Sequence, residues 1–120
     1  MTLPAKSGDT ATTFMPDELA ALEASVAAAT RLLKMLASEQ RLILLCRLSG
    51  GEASVSELAS YAGLTQTAAS QHLAKLRAEG LVSTRRDAQT IYYRLTDEAA
   101  TRVIYLLCDI YGAPQKASSS

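Results

Sequence analysis

The sequence predicts a mainly α-helical fold with a small β-hairpin wing, a winged helix-turn-helix of order helix, helix, helix-turn-helix, hairpin, helix, assembled as a homodimer. Three observations carry this. Apolar residues recur at helical spacing through most of residues 17–80, with a cap or a glycine at nearly every break. A tight Gly63–Leu64 corner joins two short helices. After Gly80 the period switches to two short β-like runs, VSTRR and TIYYRL, before a final apolar helix.

The elements follow in order. Asp17 is a plausible cap for a first helix in which Leu19, Leu22, Val26, Ala29, Leu33 and Leu36 recur through an alanine-rich background. Ser38 opens a second helix, EQRLILLCRLS, which Gly50 and Gly51 end. Ser54 and Glu57 have the spacing of a capping box, and Gly63 closes the short third helix. Thr65 caps the fourth, which stops at Gly80. Asp87-Ala88-Gln89 joins the two hairpin strands, and Thr96 caps the last helix, DEAATRVIYLLCDIY. That helix is apolar over most of its circumference, through Val103, Ile104, Leu106, Leu107, Ile110 and Tyr111. A chain this short cannot cover it alone, so the first and last helices are expected to pack against those of a second copy.

One domain is the natural reading of 120 residues with 48% apolar side chains. It is expected over residues 17–112, flanked by disordered tails at 1–16 and 113–120 that are rich in Ser, Thr, Gly and Pro. No run approaches the ~18 apolar residues of a membrane span, and the N-terminus lacks the pattern of a secretory signal, so a cytoplasmic protein is expected. There Cys46 and Cys108 rest as thiols. Net charge is zero, yet unevenly spread. Residues 1–30 set Lys6 against Asp9, Asp17, Glu18 and Glu23, whereas residues 64–95 carry Lys75, Arg77, Arg85, Arg86 and Arg94 against Glu79 and Asp87.

The basic region contains the fourth helix, TQTAASQHLAKLRAEG. At about 100° per residue, Ala69, Leu73 and Leu76 face the core, and Thr67, Ser70, Gln71, Ala74, Lys75 and Ala78 face outward. A helix meant only for solvent more usually carries Glu and Lys. This face is short, neutral and hydrogen-bonding, which suits a DNA groove: Gln bonds bidentately to adenine, Ser and Thr bond several base edges, and alanine lets the backbone approach. Gln66, Thr67, Ser70 and Gln71 are therefore candidate DNA contacts, with Lys75 placed for a phosphate. On the wing, Arg85, Arg86 and Gln89 are candidates for phosphate or minor-groove contact, against the plainer reading of a solvated hairpin tip. His72 lies at the edge of the core face, where a packed histidine competes with a reader.

These residues resemble the ArsR/SmtB family of winged-helix repressors, through LASEQRLILLCRL, ELASYAGLTQTAASQHLAKLRAEGLVSTRRDAQTIYYRLTDEA and the apolar terminal helix, from Ala29 to Tyr111. The resemblance implies a dimeric repressor whose grip on a pseudo-palindromic double-stranded operator is relaxed by a small effector. Many members sense metals with a third helix reading ELCVCDL. Here the stretch reads EASVSEL, with Ser54 and Ser56 at the thiolate positions, and serine is a poor ligand for soft metals. The terminal helix also lacks the histidines of the zinc-type site. No metal or other cofactor is expected.

The sulfide-responsive BigR/SqrR/YgaV branch is a nearer likeness, through Cys46 in LILLCRL and the wing text RRDAQTIYY. Its second cysteine usually follows the last helix's tyrosine. Here that place reads Tyr111-Gly112, and Cys108 sits one turn earlier, a displacement of roughly 6 Å along the axis. A direct disulfide needs Cα atoms about 4.4–6.8 Å apart, so a polysulfide bridge tolerates the shift better. The resemblance implies that reactive sulfur species, or another thiol-reactive effector, join Cys46 to Cys108 and release the operator. Cys46 also reads as core packing, since free cysteine behaves as a small hydrophobe. Arsenite and effector-independent regulation are the alternatives, and a winged-helix module that binds only protein is a further one, favoured by the zero net charge. An enzyme is set aside: there is no glycine-rich phosphate loop, no nucleophile elbow and a single histidine.

Overall fold

The computed structural model describes residues 16–112, so most of the expected N-terminal tail and all of the C-terminal one lie outside the described residues. The chain divides into two compact units, residues 1–34 and 35–120. The first contributes most of α1 (Pro16–Leu36). Pro16, expected in the tail, instead opens this helix, and Asp17 lies inside the first turn beside Glu18 rather than capping it. Proline suits that position because the first N–H has no intrahelical partner and its φ is already helical. The acidic first turn and Lys34 in the last both complement the helix dipole. Leu19, Leu22, Val26 and Leu33 of this helix are exposed.

The second unit holds α2 (Glu39–Ser49), β1 (Ala53–Ser54), α3 (Val55–Ala62), α4 (Gln66–Ala78), β2 (Val82–Asp87), β3 (Thr90–Leu95) and α5 (Glu98–Tyr111). Its core is made by Leu44, Leu45 and Leu48 of α2, Leu58 of α3, Leu73 and Leu76 of α4, Val82 of β2 and Ile104 of α5, all buried. Each such side chain contributes about 1.5–3 kcal/mol on burial.

Local chemistry fixes the ends of these helices. The Ser38 hydroxyl accepts from the Arg41 N–H at 3.3 Å. At α3 the Glu57 N–H donates to Ser54 Oγ at 3.2 Å while Glu57 Oε1 accepts from the Ser54 N–H at 2.8 Å, so the capping box is complete. Gly63 takes φ 69° and lets the Leu64 N–H turn back to the Ala59 carbonyl, the tight corner between α3 and α4. The Thr65 hydroxyl then accepts from the Ala68 N–H at 3.0 Å.

Three details depart from expectation. Ala53 and Ser54 pair with Tyr93 and Tyr92, so the sheet has three strands in the order β1-β3-β2 rather than two. The wing turn is two residues long, because Asp87 still pairs with Thr90 and only Ala88 and Gln89 are unpaired; Ala88 takes the left-handed conformation at φ 59°. The cap of α5 is Asp97, whose Oδ2 accepts from the Ala100 N–H at 2.8 Å. Thr96 stands one residue before that cap, and its N–H, like that of Asp97, donates to the Leu81 carbonyl.

Along α5 only Ala100 and Ile104 are fully buried, whereas Tyr105, Leu106, Ile110 and Tyr111 are exposed, Tyr111 to 80%. The apolar surplus expected for this helix is therefore present within a single chain.

Candidate nucleic-acid interface and thiol pair

The orientation of α4 follows from its sequence. Ala69, Leu73 and Leu76 are 0% exposed, and they turn Gln66, Thr67, Ser70, Gln71, Ala74, Lys75 and Ala78 outward, where all seven are exposed. His72 is half-buried, at the edge of the two faces. The Thr65 cap and the Gly63 corner fix where this helix starts, so its outward face is held by backbone geometry rather than by the polar side chains themselves.

A groove of about 510 Å³ runs between this face and the wing, with Ser56, Gln66 and Ser70 on one side and Gln89, Thr90 and Tyr92 on the other. Of the residues expected to read DNA, the groove brings together Gln66, Ser70 and Gln89. Thr67, Gln71 and Lys75 lie outside it, on the open surface of α4. Gln66 is also engaged, its amide nitrogen donating to Ser56 Oγ at 2.7 Å, which leaves its carbonyl oxygen as an acceptor.

The two wing arginines, paired in the sequence reading, part company. They pair with Tyr92 and Ile91 respectively, so the alternation of a strand sends Arg85 and Arg86 to opposite faces of the hairpin. Arg85 Nε and Nη2 donate to the two oxygens of Glu52 at 2.7 and 2.9 Å, with the Tyr92 ring centroid 4.7 Å away. The hydrogen bond from Arg85 holds the Glu52 carboxyl below the usual range, with the nearby charges of Arg85 and Arg94 adding to it. Glu52 and Ser56 were not among the residues expected at the site. Nothing local marks them, since their partners lie in distant elements.

The thiols form a second locus, where α5 packs against α2. Cys46 is buried and Cys108 half-buried, both free, and they share a pocket of about 400 Å³ with Leu42, Ile43, Leu107 and Tyr111. Burial, and then the charge and hydrogen bonding of the neighbouring Cys108, push the Cys46 thiol up to about 11. The one-turn offset of Cys108 thus still leaves both thiols lining one pocket. Among the described residues, no three His, Cys, Asp or Glu side chains cluster as a metal ion would need. No described helix is long and apolar enough to cross a membrane.

Comparison with known proteins agrees with this geometry. Residues 38–84, from the α2 cap through the helix-turn-helix to the middle of β2, match the family described as bacterial regulatory protein, arsR family. The chain is 45% identical over 95 residues to the HTH-type transcriptional regulator YgaV of Escherichia coli, covering 78% of this chain and 96% of that protein. The structure of reduced HlyU from Vibrio cholerae superposes with a TM-score of 0.73 at 48% identity, over 75% of this chain and 95% of that one. That of the transcriptional repressor BigR from Xylella fastidiosa does so at 0.70 and 39%, over 78% of this chain and 93% of that one.

Proposed function

Because this chain belongs to the ArsR family of bacterial transcriptional regulators, we propose that it is a cytoplasmic homodimer that represses transcription from a pseudo-palindromic operator and lets go when Cys46 and Cys108 are oxidised by reactive sulfur species. The family is one of DNA-binding regulators and not of enzymes.

The observation that carries the DNA reading is the outward face of α4: eight exposed residues with Arg77 counted, none acidic, several with groove-reading chemistry, on a helix locked to the core by three fully buried side chains. Gln71, Ser70 and Thr67 read base edges, and Lys75 and Arg86 take phosphates. A dimer supplies two such helices, which must meet half-sites about 34–36 Å apart. The exposed apolar surface of α5, with Leu106, Ile110 and Tyr111, supports the dimer, because monomers rarely leave such a patch in water.

The neighbouring thiols support the switch. Joining Cys46 of α2 to Cys108 of α5 adds a covalent tie between two helices that otherwise meet through packing and the hydrogen bond from Tyr105 Oη to the Ser49 carbonyl at 3.4 Å, and a small rotation of α5 changes the spacing of the two reading helices. Arsenite remains a competing effector, though one chain offers two thiolates where the metalloid favours three.

The salt dependence of operator binding tests the core of this reading. Phosphate contacts make affinity fall steeply and linearly in log–log form with salt. A module that binds only protein shows no binding to the duplex and no slope, and that result would remove the reading.

A further inference from the structure

Among the basic residues near the reading face, Arg85 is the one whose charge is already answered within the protein. Glu52 sits between Gly51 and Ala53, on the loop that leads from α2 to β1. The loop is anchored from behind by Arg47, whose Nη1 donates to the Gly51 carbonyl at 3.1 Å. Glu52 therefore meets Arg85 from a fixed position. Both of its oxygens accept from the guanidinium edge, at 2.7 and 2.9 Å, the Tyr92 ring lies over the cation at 4.7 Å, and Asp87 Oδ2 is 3.8 Å from Nη1.

The two-pronged geometry is the one a guanidinium makes equally well with a carboxylate or a phosphate. The pair stands in solvent, with the Arg85 side chain 51% exposed and that of Glu52 30%. An exposed ion pair is weak enough for another anion to exchange into it. Arg85 lies three residues before the wing turn, on a hairpin whose tip lines the groove beside α4. Arg85 and Glu52 stand outside the lining of that groove; on the operator-binding reading, the backbone of a duplex that spans α4 and the wing runs past them.

We propose that Glu52 is a built-in stand-in for a DNA phosphate, occupying the fork of Arg85 in the free protein and ceding it to the backbone on binding. Glu52 thereby sets the affinity for DNA. The proposal rests on the reading of the chain as an operator-binding protein. The carboxylate weakens binding to every duplex alike, because every duplex offers phosphates and the contact it competes with carries no base information. The alternative is that Glu52 merely braces the wing, and it predicts the opposite sign.

Glu52→Gln separates the two, since it keeps the size and one hydrogen bond while removing the charge. With the full chain and fluorescent duplexes, the expected result is tighter binding to operator and random DNA alike, by about fivefold at 0.1 M salt. The log–log salt slope stays as in the wild type, because Arg85 meets the same phosphate in both complexes. Arg85→Gln weakens binding, and in that background Glu52→Gln has no further effect. Unchanged or weaker binding by Glu52→Gln overturns the proposal and leaves the operator reading standing. A wild-type chain that binds no duplex at any salt removes both.

Discussion

The outward face of α4 and the seam between α2 and α5 are built on opposite principles. On α4 the candidate reading side chains are exposed, while the residues that aim them, Ala69, Leu73 and Leu76, are fully buried. At the seam the candidate functional atoms are themselves part of the packing: Cys46 is 9% exposed among leucines, and its thiol is pushed up to about 11. A reader must present chemistry to a partner without changing shape. A switch must be coupled to the packing, so that reacting with it moves something. The difference teaches that substitutions on α4 should separate binding from stability, and substitutions at the seam should not.

The largest effect breaks the comparison at its root. Leu73→Ala removes a fully buried side chain from the base of α4 and costs about 2–5 kcal/mol of stability, read by denaturant unfolding. Operator binding falls with it. Gln71→Ala sharpens the contrast: it loses about 1–3 kcal/mol of discrimination between operator and a mismatched site, with a melting temperature unchanged within error. A fall in stability of comparable size would show that the outward face is structural after all.

At the seam the prediction concerns pH. Alkylation of Cys46 should rise with pH around a midpoint near 11 rather than the ordinary 9, and Cys108→Ala should lower that midpoint, because part of the rise comes from the neighbouring sulfur. The sign for stability follows. The protonated thiol is favoured by the fold, so its contribution is full below about 9 and is lost as pH climbs through about 11. The smallest effect belongs to the wing. Ala88→Gly relieves a left-handed alanine at φ 59° and shifts stability by less than about 1 kcal/mol, since strain relief is offset by greater freedom in the unfolded chain.

Much of this molecule was legible in its sequence wherever the decisive interaction is local. Ser38, the Ser54–Glu57 pair, Gly63 and Thr65 act within four residues of themselves, and each does what its neighbours imply. The apolar period of α4 likewise sorted its buried side from its exposed one. What escaped depends on distant partners. A two-residue strand has no alternation to detect, and Ala53–Ser54 becomes β1 only because Tyr92 and Tyr93 lie beside it. Glu52 is 33 residues from Arg85, and nothing near it announces the pairing. The thiols belong to the same class: an offset of one turn along a helix says nothing about how that helix packs, and packing brings Cys108 to Cys46.

The central claim is that oxidation of these two thiols releases the operator. It is tested most directly by treating operator-bound protein with inorganic polysulfide while following fluorescence anisotropy and intact mass together. The account predicts release of DNA in step with a Cys46–Cys108 link, seen as the loss of two hydrogens with zero or more added sulfur atoms, and neither change in Cys46→Ser. Release that persists in Cys46→Ser, or a link that forms while the protein stays on its operator, would contradict it.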